Sequence, residues 1–332
     1  MRNAERYWYS INPVSLALWP LNVLFCSVAT LRRCAYRRGL LRQQRVPAIV
    51  IVVGNITVGG SGKTPLVTRL TMLLETAGYH PGIVSRGYGG RSRTWPRRVT
   101  AASDPREVGD EPVLLARRTH CPVMVDPDRV QAARALLNDW GCDTIVADDG
   151  LQHYRMDRDL EIAVIDGERR FGNGACLPAG PLREPQGRLR HVDFIVGNGA
   201  AGPGEYLMTL VGEHLVNIAH PQVTRPLSAF TGHAVNAVAG IGNPNRFFES
   251  LRARGLIVHE HPFPDHHLFA PTDLDFDNNF PLIMTEKDAV RLGAHSRDTM
   301  WYLPVWAQLD SQFEQQLLLR VKKCGSRTKD SP

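Results

Sequence analysis

Residues 47–64 read Pro-Ala-Ile-Val-Ile-Val-Val-Gly-Asn-Ile-Thr-Val-Gly-Gly-Ser-Gly-Lys-Thr. The short β-branched apolar run that ends at glycine predicts a buried strand over Pro47–Gly54. After the glycine-rich turn, an amphipathic pattern predicts a helix from about Lys63 to Thr76, ending near Gly78. A strand, a glycine-rich turn and a helix in this order form the context of a P-loop.

The turn between the predicted strand and helix has the chemistry of a phosphate-binding loop. Glycines let backbone N–H groups point inward, and the helix N-terminus adds partial positive charge. Lys63 is expected to contact the β- and γ-phosphates of a bound nucleotide, and the Thr64 hydroxyl to ligate Mg²⁺. The predicted nucleotide-binding residues are Val58, Gly59, Gly60, Ser61, Gly62, Lys63, Thr64 and Pro65.

This loop departs from the standard P-loop pattern at one position, where Thr57 stands in place of glycine. The alternative interpretation is a glycine-rich loop that carries a surface lysine. Only five of the 39 basic residues are lysines, so a lysine at this position is not explained by general usage. The sequence context therefore favours the phosphate loop.

A second predicted strand, Asp143–Ala147, is followed by two carboxylates, Asp148 and Asp149. A mostly apolar strand that ends in carboxylates is typical of the metal-holding strand in P-loop proteins. One carboxylate is expected to hold Mg²⁺ directly or through water. Thr64, Asp148 and Asp149 are thus the predicted metal ligands. The alternative is an Asp-Asp-Gly turn without a metal.

Strands that alternate with helices predict an α/β fold. We expect a P-loop-containing parallel sheet domain, a second, smaller α/β domain and an N-terminal membrane-anchoring helix. The expected divisions are an anchor with a basic flank (residues 1–45), the P-loop domain (46–204), a β connector (205–230), the smaller α/β domain (231–321) and a polar, frayed tail (322–332).

The N-terminal segment differs from the rest of the chain. Residues Ile11–Leu31 carry no charge, and 14 of these 21 residues are apolar. A helix of this length can cross a hydrocarbon core of about 30 Å. Six arginines and no acid follow in residues 32–45, which places the bulk of the chain in the cytoplasm. An interfacial amphipathic helix, a cleaved signal peptide and a buried helix are the alternatives.

The overall composition is that of a globular protein. Of the 332 residues, 43% are hydrophobic and 22% charged, which excludes a disordered or fibrous chain. The net charge of +6 favours an anionic partner. No recognition-helix pattern or aromatic–basic platform supports nucleic acid as that partner. The six cysteines lack zinc-ligand spacing, no disulfide framework is expected, and a reducing compartment is indicated.

Further motifs occur in order along the chain. They are Ser85-Arg-Gly-Tyr88, Gly109-Asp-Glu-Pro112, Asp148-Asp-Gly-Leu-Gln-His153, Arg170-Phe-Gly-Asn-Gly174, Leu177-Pro-Ala-Gly-Pro-Leu-Arg-Glu184 and Thr285-Glu-Lys-Asp288. With the phosphate loop, they resemble the tetraacyldisaccharide 4′-kinase (lipid A 4′-kinase) family of Gram-negative bacteria over about residues 5–310.

The resemblance implies an ATP- and Mg²⁺-dependent lipid kinase of lipid A biosynthesis. Such an enzyme transfers the γ-phosphate of ATP to the 4′-hydroxyl of tetraacyldisaccharide 1-phosphate and forms lipid IVA. It also implies a location at the bacterial inner membrane, with the catalytic part on the cytoplasmic side. The basic character of the chain suits an anionic lipid substrate and an anionic membrane surface.

The resemblance further implies roles for single residues. Asp110 matches the family's proposed general base, with His266 as its partner and Lys63 as a third catalytic residue. By sequence alone, Asp110 is an acid at a helix N-terminus, and His266 could belong to a surface turn or pair with His267 on a metal. The residues expected to contact substrate or phosphate are Arg86, Glu111, His153, Arg183 and Glu184.

Because His266 belongs to the second predicted domain and the P-loop to the first, we expect the active site in the cleft between them. The alternative function is a membrane-tethered P-loop GTPase or ATPase switch, which would not need Asp110 or His266. A GTPase is also expected to carry a base-reading Asn-Lys-x-Asp motif, and Lys287-Asp288 lacks the preceding asparagine. Gly240-Ile-Gly-Asn243 is interpreted as a tight turn, so no NAD site is expected.

Overall fold

Two sheets organise the chain. The structure is a computed structural model that describes residues 7–292 and 296–329. Its strands are β1 (Ile49–Gly54), β2 (Pro81–Ser85), β3 (Arg97–Val99), β4 (Val123–Val125), β5 (Thr144–Asp148), β6 (Leu160–Asp166), β7 (Phe194–Asn198), β8 (Tyr206–Val211), β9 (His214–Asn217), β10 (Thr224–Pro226), β11 (Ala234–Ala239), β12 (Ile257–Pro262), β13 (Leu282–Thr285), β14 (Met300–Leu303) and β15 (Trp306–Leu309).

Helices cover the faces of both sheets. They are α1 (Pro13–Ala17), α2 (Trp19–Arg37), α3 (Lys63–Thr76), α4 (Pro105–Val108), α5 (Asp110–Arg118), α6 (Arg129–Trp140), α7 (Pro244–Arg252), α8 (Glu286–Arg291) and α9 (Ser311–Lys329), with 3₁₀ turns at Gln186–His191, Leu227–Phe230 and Pro271–Leu274. The predicted helix at 63–76 and the predicted strand at 160–166 have the bounds expected from the sequence.

The larger sheet has the order β15-β8-β7-β6-β1-β5-β2-β4-β3, and its pairings from β8 to β4 are all parallel. Strand β1 lies at its centre, and successive side chains point to opposite faces. Ile51 packs with Leu66 of α3 on one face, and Val52 packs with Leu136 of α6 on the other. The α/β fold expected from the sequence is confirmed, with a sheet that is mostly parallel, because β3 and β15 at its edges pair antiparallel.

The register of the two central strands positions the site. Val53 of β1 is paired with Asp148 of β5, so the phosphate loop and the two carboxylates leave the sheet side by side. In open parallel sheets, ligands bind outside the carboxyl ends of the strands. The predicted strand at Asp143–Ala147 is shifted by one residue in the structure, and Asp148 is its last residue.

The smaller sheet has the order β10-β9-β14-β13-β11-β12. Residues 205–230, predicted as a connector, are divided between the sheets: β8 joins the larger one, whereas β9 and β10 join the smaller one. The chain then returns, because β15 pairs with β8 and covers the larger sheet's edge. Residues 306–321 therefore pack with the first unit and not with the second, as Phe313 and Leu317 show.

The C-terminal segment is helical where its polar composition predicts a frayed tail. Helix α9 extends to Lys329, so the predicted polar tail from residue 322 is helical over most of its length. Phe313, Leu317 and Val321 form the buried stripe that holds this helix on the larger sheet. The last three residues of the predicted tail, 330–332, lie outside the described residues.

The N-terminal apolar run forms two helices, α1 and α2. Over residues 7–292 and 296–329, every helix falls short of the length and hydropathy that a bilayer crossing requires. The prediction of a spanning helix is therefore corrected. The run is divided after Ala17, and α2 ends in the arginine-rich segment that contains Arg32, Arg33 and Arg37.

Polar contacts attach the N-terminal segment to the rest of the molecule. The Trp8 indole donates to the Pro178 carbonyl at 3.0 Å, and the Cys176 N–H donates to the Asn22 side chain at 2.6 Å. Cys26 of α2 forms a disulfide with Cys176, which the sequence analysis did not expect. Widely spaced cysteines give no signal of pairing, since only the fold brings residues 150 positions apart together.

Candidate active site

The phosphate loop joins β1 to α3 as the sequence predicts. Gly62 precedes the helix with φ of 92°, in the left-handed region that glycine adopts at least cost. A Cβ at Gly62 would also collide with the Asn198 amide. That amide donates to the Ser61 carbonyl at 3.1 Å, so the end of β7 fixes the loop. The glycine is thus required by both conformation and space.

Lys63 is buried at the base of this loop. Its ammonium donates to the Asn55 side chain at 3.2 Å and lies 3.6 Å from Asp149 Oδ1. Both partners directly follow strands at the centre of the sheet, which is why the lysine points towards the strand ends. A buried ammonium held between a carboxylate and an amide can place positive charge beside bound phosphates.

The two carboxylates after β5 have different surroundings. Asp148 is 1% exposed, and neither of its carboxylate oxygens has a hydrogen-bond partner within the described part of the chain. Burial, with the charges of Glu111 and Asp149, raises the pKa of Asp148 to about 7. An unpartnered buried carboxylate is costly unless a cation or a proton compensates its charge.

Asp149 is paired with cations. Its side chain accepts two hydrogen bonds from Arg183, at 3.0 and 2.9 Å, and it lies beside Lys63. Burial alone would raise the pKa of Asp149, but the charges of Lys63 and Arg183 outweigh burial and hold the pKa well below its usual range. Asp149 is therefore ionised at neutral pH.

The residues fit a magnesium ion. Mg²⁺ is usually held by one or two carboxylates together with substrate phosphates and water. The orphaned oxygens of Asp148, the ionised Asp149 and the start of α3 at Thr64 supply that chemistry at one sheet edge. Among residues 7–292 and 296–329, no cluster of three or more His, Cys, Asp or Glu side chains forms a self-sufficient metal site.

Asp110 and His266 come together from different units. Asp110 begins α5 beside the larger sheet, and His266 follows β12 of the smaller one. The His266 Nδ1 atom lies 3.0 and 3.1 Å from the two carboxylate oxygens of Asp110. Since a carboxylate only accepts, Nδ1 carries the proton, and Nε2 lies on the opposite side of the ring.

Asp110 is 5% exposed and strongly held. Burial would raise its pKa, but the hydrogen bond from His266 and the charges of Lys287 and Arg291 keep the pKa of Asp110 well below its usual range. His266 adopts φ of 60°, an unusual value for a non-glycine residue, and its ring lies 5.5 Å from that of Tyr88. Such backbone outliers are frequent at functional sites.

A single cleft of about 1180 Å³ collects most of the predicted site. It is lined by Val58, Gly59, Gly60, Ser61, Gly62, Lys63, Thr64, Pro65, Arg86, Glu111, Asp149, His153, Arg183, Glu184 and His266. Asp110 and Asp148 are buried and are not among the lining residues, and Asp110 contacts His266, which lines the cleft. Elements of both sheets contribute to its walls, including β8, the turn at Gly242 and Phe247 of α7.

The five residues predicted to contact substrate have distinct surroundings. Arg86 is exposed after β2, and Glu111 accepts from Lys287 at 2.8 Å. Arg183 pairs with Asp149. Glu184 is 3% exposed and accepts from Gln152 at 2.9 Å and from the Tyr154 hydroxyl, so it braces the wall of the cleft.

His153 is half-enclosed beside positive charge. Burial, followed by the charge of Arg129, lowers the pKa of His153 to about 4. Its Nε2 atom lies 3.9 Å from Asp128 and has no hydrogen bond to the described residues. His153 is therefore neutral at physiological pH and offers an uncharged ring nitrogen near the cleft.

Sequence reasoning missed four residues that organise the site. Asn55 and Asn198 each sit at or directly after the end of a central strand and fix the phosphate loop. Lys287 and Arg291 of α8 contact Glu111 and Asp110. Strand-end position could have indicated the asparagines, and the scarcity of lysine could have indicated Lys287, but Arg291 is one of many arginines and carries no such signal.

The chain is similar to one family of known proteins over nearly its whole length. The family described as LpxK, tetraacyldisaccharide-1-P 4′-kinase, matches residues 14–322. A tetraacyldisaccharide 4′-kinase of Nitrosococcus oceani is 48% identical over 324 residues, covering 97% of this chain and 95% of the relative. The enzyme of the same name from Alkalilimnicola ehrlichii is 52% identical over 320 residues, covering 94% of each chain.

A crystal structure of LpxK from Aquifex aeolicus in complex with ATP is similar to this fold, with a TM-score of 0.77 and 28% identity. The similarity covers 93% of this chain and 99% of that one. Agreement over nearly the whole length, in sequence and in fold, shows that this chain belongs to the tetraacyldisaccharide 4′-kinase family of lipid A biosynthesis.

Proposed function

We propose that the cleft between the two sheets transfers the γ-phosphate of ATP to the 4′-hydroxyl of tetraacyldisaccharide 1-phosphate. The observation that carries this proposal is the contact between Asp110 and His266 on a wall of the cleft that also holds Lys63 and Asp149. A phosphate loop alone serves many activities, whereas a carboxylate–imidazole pair facing it supplies an acceptor for a hydroxyl proton.

ATP binds with its phosphates against Val58–Thr64. Backbone N–H groups of the loop and the N-terminus of α3 surround the phosphate oxygens, and Lys63 neutralises charge on the transferred group. The related Aquifex aeolicus protein was solved in complex with ATP, which supports this assignment. Arg183, already paired with Asp149, adds a second cation at the same edge.

Thr64, Asp148 and Asp149 would hold Mg²⁺. When bound, the ion neutralises charge on the phosphate oxygens and helps to align the transferred group. The contribution of the chain is the dry environment of Asp148 and the fixed orientation of Asp149. Arg183 and Lys63 hold Asp149 in place before any ligand arrives.

The Asp110–His266 pair accepts the proton of the attacking hydroxyl. His266 lines the cleft, and Asp110 lies behind it. The proton is therefore taken at His266 Nε2, while the ionised Asp110 orients the ring through Nδ1 and stabilises its positive charge. The hydroxyl oxygen forms a bond to the γ-phosphorus as the bond to the β-phosphate oxygen breaks, and ADP leaves.

The N-terminal helices provide the membrane contact, in the interfacial manner. Leu21, Leu24, Val28 and Leu31 of α2 recur at helical spacing, and all are exposed. The arginines at the end of this helix suit an anionic leaflet. Trp8, Phe25, Val28 and Ala29 also line the cleft, so acyl chains can pass from the membrane surface to the site. We place this surface on the cytoplasmic face of the inner membrane.

The test is transfer of label from γ-labelled ATP to tetraacyldisaccharide 1-phosphate in detergent micelles with Mg²⁺. The wild type and Lys323→Met, which changes an exposed lysine of α9, should form labelled lipid. Lys63→Met should reduce it by about 100-fold or more. A different outcome would favour a nucleotide switch: labelled inorganic phosphate is released equally fast with and without lipid, and no labelled lipid forms.

A further inference from the structure

Helix α8 of the smaller unit packs against α5 of the larger one through charged side chains. Glu286 pairs with Arg118, Lys287 donates to Glu111 at 2.8 Å, and the Nε of Arg291 donates to Asp110 Oδ2 at 2.5 Å. All three partners belong to α5. The helix therefore contacts the other unit at three points, and one of these points is the carboxylate that orients His266.

Arg291 is held more firmly than an ordinary ion-pair partner. Arg291 is 5% exposed, and its Nη1 atom donates to the Gly240 carbonyl and to Asp288 Oδ1, both at 3.0 Å. Asp288 is fully buried and in turn accepts from the Gly240 N–H at 3.0 Å and from the Thr285 hydroxyl at 2.6 Å. The guanidinium is thus fixed by its own helix and by the end of β11.

This arrangement restricts how Asp110 can point. Its Oδ2 atom accepts from both Arg291 and His266, and its Oδ1 atom accepts from His266 and from the Glu111 N–H at 2.9 Å. Charge-assisted hydrogen bonds are short and directional, and they weaken quickly when the carboxylate turns. Loss of Arg291 would leave His266 as the one donor that remains to Asp110 Oδ2 among the described residues, so the carboxylate could turn and the imidazole would lose its fixed orientation.

We propose that Arg291 is a positioning residue for the Asp110–His266 pair, and that Asp288 holds Arg291 in place. The inference rests on the proposed role of that pair as proton acceptor. An ion pair that only holds the two units together would have the same effect on kcat wherever it lies along α5. The Glu286–Arg118 pair joins the same two helices without touching Asp110, so it provides the matched control.

The experiment measures kcat and KM for lipid phosphorylation in Arg291→Gln, Arg291→Lys and Glu286→Gln, with Arg291→Gln repeated in an Asp110→Asn background. Arg291→Gln should lower kcat by about 10- to 100-fold and leave the KM for ATP within about twofold, since misplacement of a catalytic group acts on the chemical step. Arg291→Lys should recover part of the loss, and Glu286→Gln should keep kcat within about twofold of wild type.

The double variant separates positioning from a general structural effect. If Arg291 acts through Asp110, Arg291→Gln should change kcat by less than about twofold once Asp110 is already Asn. Equal losses in both backgrounds, or an unchanged kcat in Arg291→Gln, would overturn the inference. Should Arg291→Gln not fold, Arg291→Lys and Asp288→Asn take its place in the same cycle, with losses of about tenfold and the same non-additivity expected.

The two proposals fail in different ways. An Asp110→Asn enzyme as active as the wild type would refute the proposed proton acceptor, and the role of Arg291 with it. A strongly impaired Asp110→Asn enzyme together with an additive loss in Arg291→Gln would leave the proposed function intact and remove only the positioning role.

Discussion

Gly242, in the turn after β11, lies directly against Gly60 of the phosphate loop. A Cβ at Gly242 would overlap the Gly60 N–H and approach its Cα to 3.1 Å. The turn of the smaller unit therefore supports the phosphate loop of the larger one, and the same turn begins at Gly240, which Asp288 and Arg291 hold. The phosphate loop and the proposed proton acceptor therefore share one structural support.

Gly242→Ala should displace the phosphate loop, because the neighbour that must move is backbone. We expect the KM for ATP to rise by about tenfold or more, with a smaller change in the KM for lipid. Gly187→Ala is the control, since a Cβ at that glycine meets nothing within 4 Å. Equal KM values for ATP in both variants would show that the contact is not needed.

His153 should not contribute to the pH dependence of activity near neutrality. Burial and the charge of Arg129 lower its pKa to about 4, so it is neutral from pH 6 to 8. His153→Gln should leave the shape of the kcat profile unchanged in that range. A limb near pH 6.5 that disappears in the variant would contradict this assignment.

The same residue should make the fold sensitive to acid. Its proton binds more strongly in the unfolded chain, where the pKa is near 6.5, so the folded state loses stability as pH falls from about 6.5 towards 4. Urea unfolding at pH 8 and pH 5 measures the loss. His153→Gln should lose less stability than the wild type over this interval, and parallel losses would argue against the lowered pKa.

The disulfide between Cys26 and Cys176 should stabilise the attachment of α2. It closes a loop across a separation of 150 residues, for which the chain-entropy model gives about 5 kcal/mol of stabilisation. Without reductant, alkylation of the unfolded chain should modify only Cys34, Cys121, Cys142 and Cys324. Without reductant, Cys26→Ser should lower the melting temperature of the protein, whereas Cys34→Ser should not.

The exposed stripe of α2 should carry membrane binding. Leu24→Glu combined with Val28→Glu should lower partitioning onto anionic vesicles by about tenfold or more, because each buried apolar side chain contributes roughly 1.5–3 kcal/mol. Sedimentation with vesicles measures this. Leu319→Glu, on an exposed face of α9, is the control and should bind as the wild type does.

Local signals in the sequence were sufficient to predict the phosphate loop and the central strands. Each of these features consists of contiguous residues: the glycine-rich turn before Lys63 and the carboxylates after β5. Periodicity and turn chemistry therefore locate them. The contacts of Arg291 with Asp110 join residues 181 positions apart, and no local pattern encodes them. The return of β15 to the larger sheet is non-local in the same way.

The prediction of a membrane-spanning helix at the N-terminus was wrong for a different reason. Counting uncharged residues over Ile11–Leu31 ignored the division at Ala17 and the contact of Asn22 with Cys176. The contact that this buried asparagine makes depends on the tertiary structure. Composition alone cannot distinguish such an asparagine from a polar residue within a membrane-spanning helix.

The proposed proton acceptor is tested by the rate of phosphate transfer in Asp110→Asn, with ATP affinity measured in parallel. The control is Asp139→Asn, which changes an exposed carboxylate of α6. We predict that Asp110→Asn lowers kcat by about 100-fold or more and leaves ATP affinity within about twofold, because the lost interaction acts on the proton and not on the nucleotide. A kcat equal to that of Asp139→Asn would rule out the Asp110–His266 pair as the acceptor of the hydroxyl proton.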